Sequence, residues 1–143
     1  MDQNSQNTQP IIKPAGSKPQ VLLVDDEEMI ITLYKDVLLD SGLDVDSANS
    51  GKDALDKAGV KKYDLILLDI MMSEMDGIDT LKNLRADQTK YGKPVVVMLT
   101  NVAMANTIKD ANDFGADGYL VKLSLSNDQL VEKVHGFLRG FSK

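Results

Sequence analysis

The chain contains no cysteine, which excludes disulfides and thiolate-bound metal. Its one histidine, His135, falls in a C-terminal helical pattern and reads as a surface or half-buried helix residue. Basic stripes are missing too. The net charge is -6, and the first 19 residues contribute +1 through Asp2, Lys13 and Lys18, leaving -7 for the rest. An acidic domain of this kind is not expected to bind nucleic acid. No apolar run approaches the roughly 18 residues that a membrane span needs. The amino terminus lacks the basic and apolar regions of a secretory signal, so a cytoplasmic location with no membrane contact is expected. The first apolar run is followed by Asp25-Asp26-Glu27, not by a glycine-rich phosphate cradle, which disfavours a dinucleotide-dependent enzyme. There is no internal repeat.

What is present is the pattern of one domain in a chain of 143 residues, long enough to bury roughly 70% of its unfolded surface. Residues 1–18 are rich in Gln, Asn, Ser, Pro and Gly, with Ile11-Ile12 the one apolar pair. Such a segment buries too little apolar surface to offset its ordering entropy, so a disordered tail is expected, with the domain over 19–143. From Gln20 onward apolar runs and helical periods alternate. Strands are expected at about 20–24, 43–48, 64–68, 94–99 and 118–121, and helices at about 27–41, 51–59, 78–87, 103–114 and 127–140. Ser126-x-x-Gln129 fits a capping box at the last helix. Gly42, Gly59, Gly92 and Gly115 are placed to end helices, and the numerous methionines are expected mostly as core filler. Five strands alternating with five helices imply an α/β fold, a five-stranded parallel sheet with helices on both faces.

Polar residues stand at the ends of four apolar runs. Val21–Val24 leads into Asp25-Asp26, Leu65–Leu68 into Asp69, Val95–Leu99 into Thr100, and Tyr119–Val121 into Lys122. In an open parallel sheet the strand carboxyl ends line one crevice, where ligands bind. Three carboxylates, a hydroxyl and an ammonium are therefore expected to converge. Oxygen ligands of this kind suit magnesium, a lysine meets phosphate as a point charge, and a carboxylate can form an acyl phosphate.

Four segments carry a resemblance to a known family: Leu22–Glu27, Leu68–Met72 with Met75-Asp76-Gly77, Leu99-Thr100, and Gly115–Lys122. In this order they resemble the receiver domain of two-component response regulators, over roughly Pro19 to Lys143. The resemblance implies a flavodoxin-like (βα)5 fold with strand order 2-1-3-4-5. It implies that Asp69 is the phosphoacceptor, and that Asp25, Asp26, Asp69 and the backbone carbonyl of Met71 hold Mg²⁺ or Mn²⁺, Asp25 mainly through water. Thr100 and Lys122 would act on the phosphoryl group, with Asp69, as the catalytic set, while Tyr119 follows Thr100 in a two-state switch. The implied partners are a histidine kinase or histidine phosphotransfer protein, an unidentified downstream protein, and a second copy through the face of the fourth helix, fifth strand and fifth helix. The pattern ends at Lys143 with no output module read after it, so a stand-alone type is expected. Glu27 and Glu28 are expected to serve the helix dipole and solvent.

Three positions depart from the family pattern. Ser73 stands where proline is usual, Asn101 where a smaller residue is usual, and Leu123 where proline follows the lysine. A cis bond before leucine costs about 2.5–4 kcal/mol, so a trans Lys122–Leu123 peptide is expected. Met71 and Val102, two residues past Asp69 and Thr100, are apolar and cannot orient a hydrolytic water. Slow-to-moderate phosphoryl loss is expected. The leading function is a phosphorylation-controlled signalling switch with no dedicated enzyme activity beyond self-phosphorylation and slow autodephosphorylation. The alternative is a degenerate receiver-like interaction domain. A metal-dependent phosphatase is disfavoured because Met71 occupies the place of its second carboxylate.

Overall fold

The computed structural model describes residues 17–101 and 105–140. Residues 1–16 of the tail expected over 1–18, and the expectation for Val102, lie outside these. Five strands form one parallel sheet: β1 Gln20–Val24, β2 Asp44–Ala48, β3 Leu65–Asp69, β4 Val95–Thr100 and β5 Gly118–Val121. Their spatial order is β2-β1-β3-β4-β5, the 2-1-3-4-5 order anticipated above. The helices are α1 Glu28–Asp40, α2 Gly51–Val60, α3 Gly77–Ala86, α4 Ala105–Asp113 and α5 Asn127–Gly140.

Side-chain alternation along the strands divides the core into two. Val21, Leu23, Leu65, Leu67, Val97 and Leu99 pack with Tyr34 and Leu38 of α1 and with Leu130 and Val134 of α5. Leu22, Val24, Ile66, Leu68, Val96 and Met98 pack on the other face with Ala54 of α2, Leu81 of α3 and Ala111 of α4. Each central strand is therefore apolar on both sides, which explains the unbroken runs in β3 and β4. Emptying either face of a leucine is costly, about 2–5 kcal/mol for Leu→Ala in a packed core.

Local chemistry sets the helix ends. Ser50 caps α2 by accepting from the Asp53 N–H at 3.0 Å, and Asp76 caps α3 by accepting from the Asp79 N–H at 2.9 Å. The capping box at α5 is present: the Gln129 N–H donates to Ser126 Oγ at 3.1 Å, and the Ser126 N–H donates to Gln129 Oε1 at 2.9 Å. Gly92 and Gly115 end their helical segments at φ of 73° and 101°, a region costly for other residues.

Several expectations need correction. Gly59 lies inside α2, not beyond it, where an added Cβ would stand 3.1 Å from Lys90 Cε. Residues Gln88–Tyr91 form a separate helical turn after α3, capped by Asp87. Of the described methionines only Met98 is fully buried, while Met29 and Met71 are among the most exposed apolar side chains. The core is filled by Leu, Val and Ile, so little irregular space is left for methionine to occupy. Among the described residues no peptide bond is cis, in agreement with the trans expectation at Lys122–Leu123.

Candidate functional site

The parallel register sets the site's position. Asp69 closes β3 and pairs with Leu99 of β4, while Thr100 pairs with Val121 of β5. Asp25 and Asp26 leave β1 directly beside β3. The carboxyl ends of four neighbouring strands thus meet at one edge of the sheet. Continuing the alternation of Leu65 and Leu67 puts Asp69 on the α1–α5 side, and Lys122 follows Leu120 to the same side. These residues are buried for that reason. Asp25, Asp69, Thr100 and Lys122 are all buried, and Asp26 is exposed.

Asp25, Asp26 and Asp69 each offer a carboxylate oxygen within 4.8 Å of one another. Lys122 Nζ reaches Asp25 Oδ2 at 2.9 Å, Glu27 Oε1 at 3.2 Å and Asp69 Oδ1 at 3.5 Å. Backbone N–H groups hold the acids in place. The Glu27 N–H donates to Asp25 Oδ1 at 2.9 Å, the Met71 N–H to Asp69 Oδ1 at 3.3 Å, and the Ser73 N–H to Asp26 Oδ2 at 3.4 Å. The last contact shows what Ser73 does in place of proline: it supplies a donor that proline lacks.

One ammonium faces three close carboxylates, so negative charge is in excess. Burial, and then the charge of Asp25, push the Asp69 carboxyl up to about 7, against the opposing pull of Lys122 and the Met71 N–H. Burial works against the charge on Lys122, but the hydrogen bond that its ammonium donates to Asp25 and the charge of Asp69 outweigh it and raise its pKa. A cluster of oxygen donors short of positive charge fits a hard dication. The residues present therefore suit the metal that the sequence implied.

Glu27 is the site residue that sequence reasoning missed. It precedes α1 but makes no side-chain cap, because its carboxylate turns to Lys122. Only an alternative partner for a residue in N-cap position could have revealed this, and that partner lies 95 positions away. Glu28 remains exposed, as expected. The side chain of Met71 points to solvent, and Tyr119 is exposed on β5. Neither joins the buried cluster through its side chain.

Gly77 completes the site. A Cβ there would overlap the carbonyl oxygen of Asp69 and stand 2.8 Å from Ile70 Cα, while the Gly77 N–H donates to Ile70 O at 2.8 Å. The start of α3 thus rests on the backbone at the end of β3. Gly77→Ala is expected to lower stability by about 1–3 kcal/mol, the usual size of overpacking. A urea denaturation midpoint unchanged from wild type would contradict this.

The receiver domain of response regulators matches the sequence over residues 21–135. The alkaline phosphatase synthesis transcriptional regulatory protein PhoP of Bacillus subtilis is 40% identical over 103 residues, covering 72% of this chain and 42% of that protein. The response regulator protein VraR of Staphylococcus saprophyticus is 38% identical over 111 residues, covering 76% of this chain and 52% of that protein. This chain therefore spans about half the length of these curated relatives, or less. Among solved structures, the chemotaxis protein CheY4 of Vibrio cholerae superposes with a TM-score of 0.79 at 30% identity, covering 85% of this chain and 99% of that one.

Proposed function

The chain belongs to the response regulator receiver domain family, and from that premise we propose that it is a phosphorylation-controlled switch with Asp69 as its acceptor. The observation that carries this reading is the buried cluster of Asp25, Asp26, Asp69 and Lys122 at the strand ends. An Asp69 oxygen attacks the phosphorus of a phosphohistidine on a histidine kinase or phosphotransfer protein. A P–O bond forms, the P–N bond breaks, and its electron pair returns to the imidazole nitrogen. Asp25, Asp26, Asp69 and the Met71 carbonyl would hold Mg²⁺, or Mn²⁺ in its place. The cation's part is to offset the negative charge gathered as phosphoryl meets carboxylate. Lys122 meets a phosphoryl oxygen as a point charge, and Thr100 offers a hydroxyl donor to the same group.

The output is a protein–protein contact. Thr100 precedes α4 and Tyr119 lies exposed on β5, so a change at the acceptor would alter the α4-β5-α5 face, where a downstream protein or a second copy could dock. A cytoplasmic setting is part of this proposal. No helix among the described residues is long and apolar enough to cross a membrane.

Incubation with acetyl phosphate and Mg²⁺ should add one phosphoryl group to the intact mass, and Asp69→Asn should abolish the gain. A phosphorylated Asp69→Asn protein would disprove the assignment. In parallel, Asp26→Ala should weaken Mg²⁺ binding at least tenfold by calorimetry, since a removed carboxylate leaves a hard cation one strong ligand short.

A further inference from the structure

Lys122 is the first residue beyond the β4–β5 ladder, which ends at Thr100 paired with Val121. From there the chain enters the short 3-10 turn Lys122–Ser124. A lysine carries its charge on a long flexible stem, so where the ammonium rests depends on how firmly its backbone is held. Proline after it would fix φ at the next residue; this chain has Leu123 there. What the structure supplies instead comes from across the core. The Tyr34 hydroxyl donates to the Lys122 carbonyl at 2.8 Å in a fully buried contact.

Tyr34 is itself well anchored. It is a buried residue of α1, packed in the same core as Leu38, Leu120, Leu130 and Val134. Its ring thus ties α1 to the end of β5 at the residue whose ammonium lies between Asp25 and Asp69. A buried tyrosine ordinarily needs some partner for its hydroxyl. The partner here is 88 positions away, on the backbone of the site's only buried cation among the described residues.

We propose that Tyr34 is a positioning residue, holding the Lys122 backbone so that the ammonium is aimed at the phosphoryl group on Asp69. This rests on the reading of Asp69 as acceptor. The hydroxyl's hydrogen bond goes to the Lys122 backbone, so its effect on the phosphoryl group is exerted through Lys122.

Two measurements test it on the full chain. The first is the ¹H–¹⁵N signal of the Lys122 ammonium, which needs no phosphoryl chemistry. In the wild type it should be distinct from those of exposed lysines, and in Tyr34→Phe it should move toward them. An unmoved signal would overturn the proposal. The second is the initial rate of phosphoryl uptake from acetyl phosphate at saturating Mg²⁺. Tyr34→Phe should slow uptake about fivefold, the size that one neutral hydrogen bond supports. In a Lys122→Met background the same change should alter the rate less than twofold, because contacting residues couple. An equal slowing in both backgrounds would make Tyr34 merely structural. If the wild type takes up no phosphoryl group, the acceptor reading fails, while the ammonium signal still decides the role of Tyr34.

Discussion

Asp69→Asn, freed of metal by chelator, should be more stable than the wild type at pH 8 by about 2–4 kcal/mol, at 1.36 kcal/mol per unit of pKa difference. The cause is the raised carboxyl. Asp69 titrates near 7 in the fold against 3.8 for an ordinary aspartate. A carboxyl with a raised folded-state pKa contributes stability that is fully present below the unfolded value and is lost as pH rises through the folded one. The wild type should therefore weaken between about pH 4 and 7, as Asp69 ionises beside Asp25 in a buried place. Asparagine keeps the shape and never ionises. Its advantage should shrink toward zero near pH 4 and narrow when Mg²⁺ is added, because a cation relieves the same repulsion. Urea denaturation of both proteins across pH 4–8 checks this. An Asp69→Asn protein no more stable than wild type at pH 8 would refute it.

Lys122→Met should have the opposite sign and a larger size, a loss of about 3–5 kcal/mol, as expected when one partner of a buried ion pair is removed. Asp25 and Lys122 are both almost wholly inaccessible to solvent and lie 2.9 Å apart. Methionine retains much of the stem's packing but leaves Asp25 and Asp69 without their cation. Glu27, which is exposed, can turn to water and adds little. Part of the loss should return on adding Mg²⁺, which would bind the variant more tightly than the wild type for want of a competing ammonium. Denaturation with and without Mg²⁺ measures both effects. A variant as stable as wild type in chelator would show that the ion pair does not hold the site together. The opposite signs at Asp69 and Lys122 share one origin, an excess of carboxylate at the strand ends.

Much of this protein was legible in its sequence because the relevant signals are local. Unbroken apolar runs in β3 and β4 announced strands buried on both faces. Ser126 and Gln129 are three residues apart and cap α5 wherever that helix packs. Asp25, Asp26, Asp69, Thr100 and Lys122 stood at strand ends, and a parallel sheet gathers strand ends at one edge. Other features depended on elements distant in the chain. Glu27 has the position of a helix cap, and only the approach of β5 turned it to Lys122. Arg85 of α3 carried no signal of its partners in the sequence. In the fold it donates to Pro94 O, Gly115 O and Asp117 Oδ2 at 2.9–3.0 Å, tying α3 to the starts of β4 and β5. Gly59 seemed a helix stop, but α2 runs through it to Val60 and packs it near Lys90 and Tyr91, and the methionines seemed core residues until Met29 and Met71 proved exposed. Helix period, strand alternation and caps are written within a few neighbouring residues, so the chain alone determined the elements, their order and the acids at their ends. Burial, charge imbalance and hydrogen bonds across 88 or 95 positions arise only when crossovers bring strands together, so the raised Asp69 carboxyl and the grip of Tyr34 on Lys122 were decided by the tertiary structure.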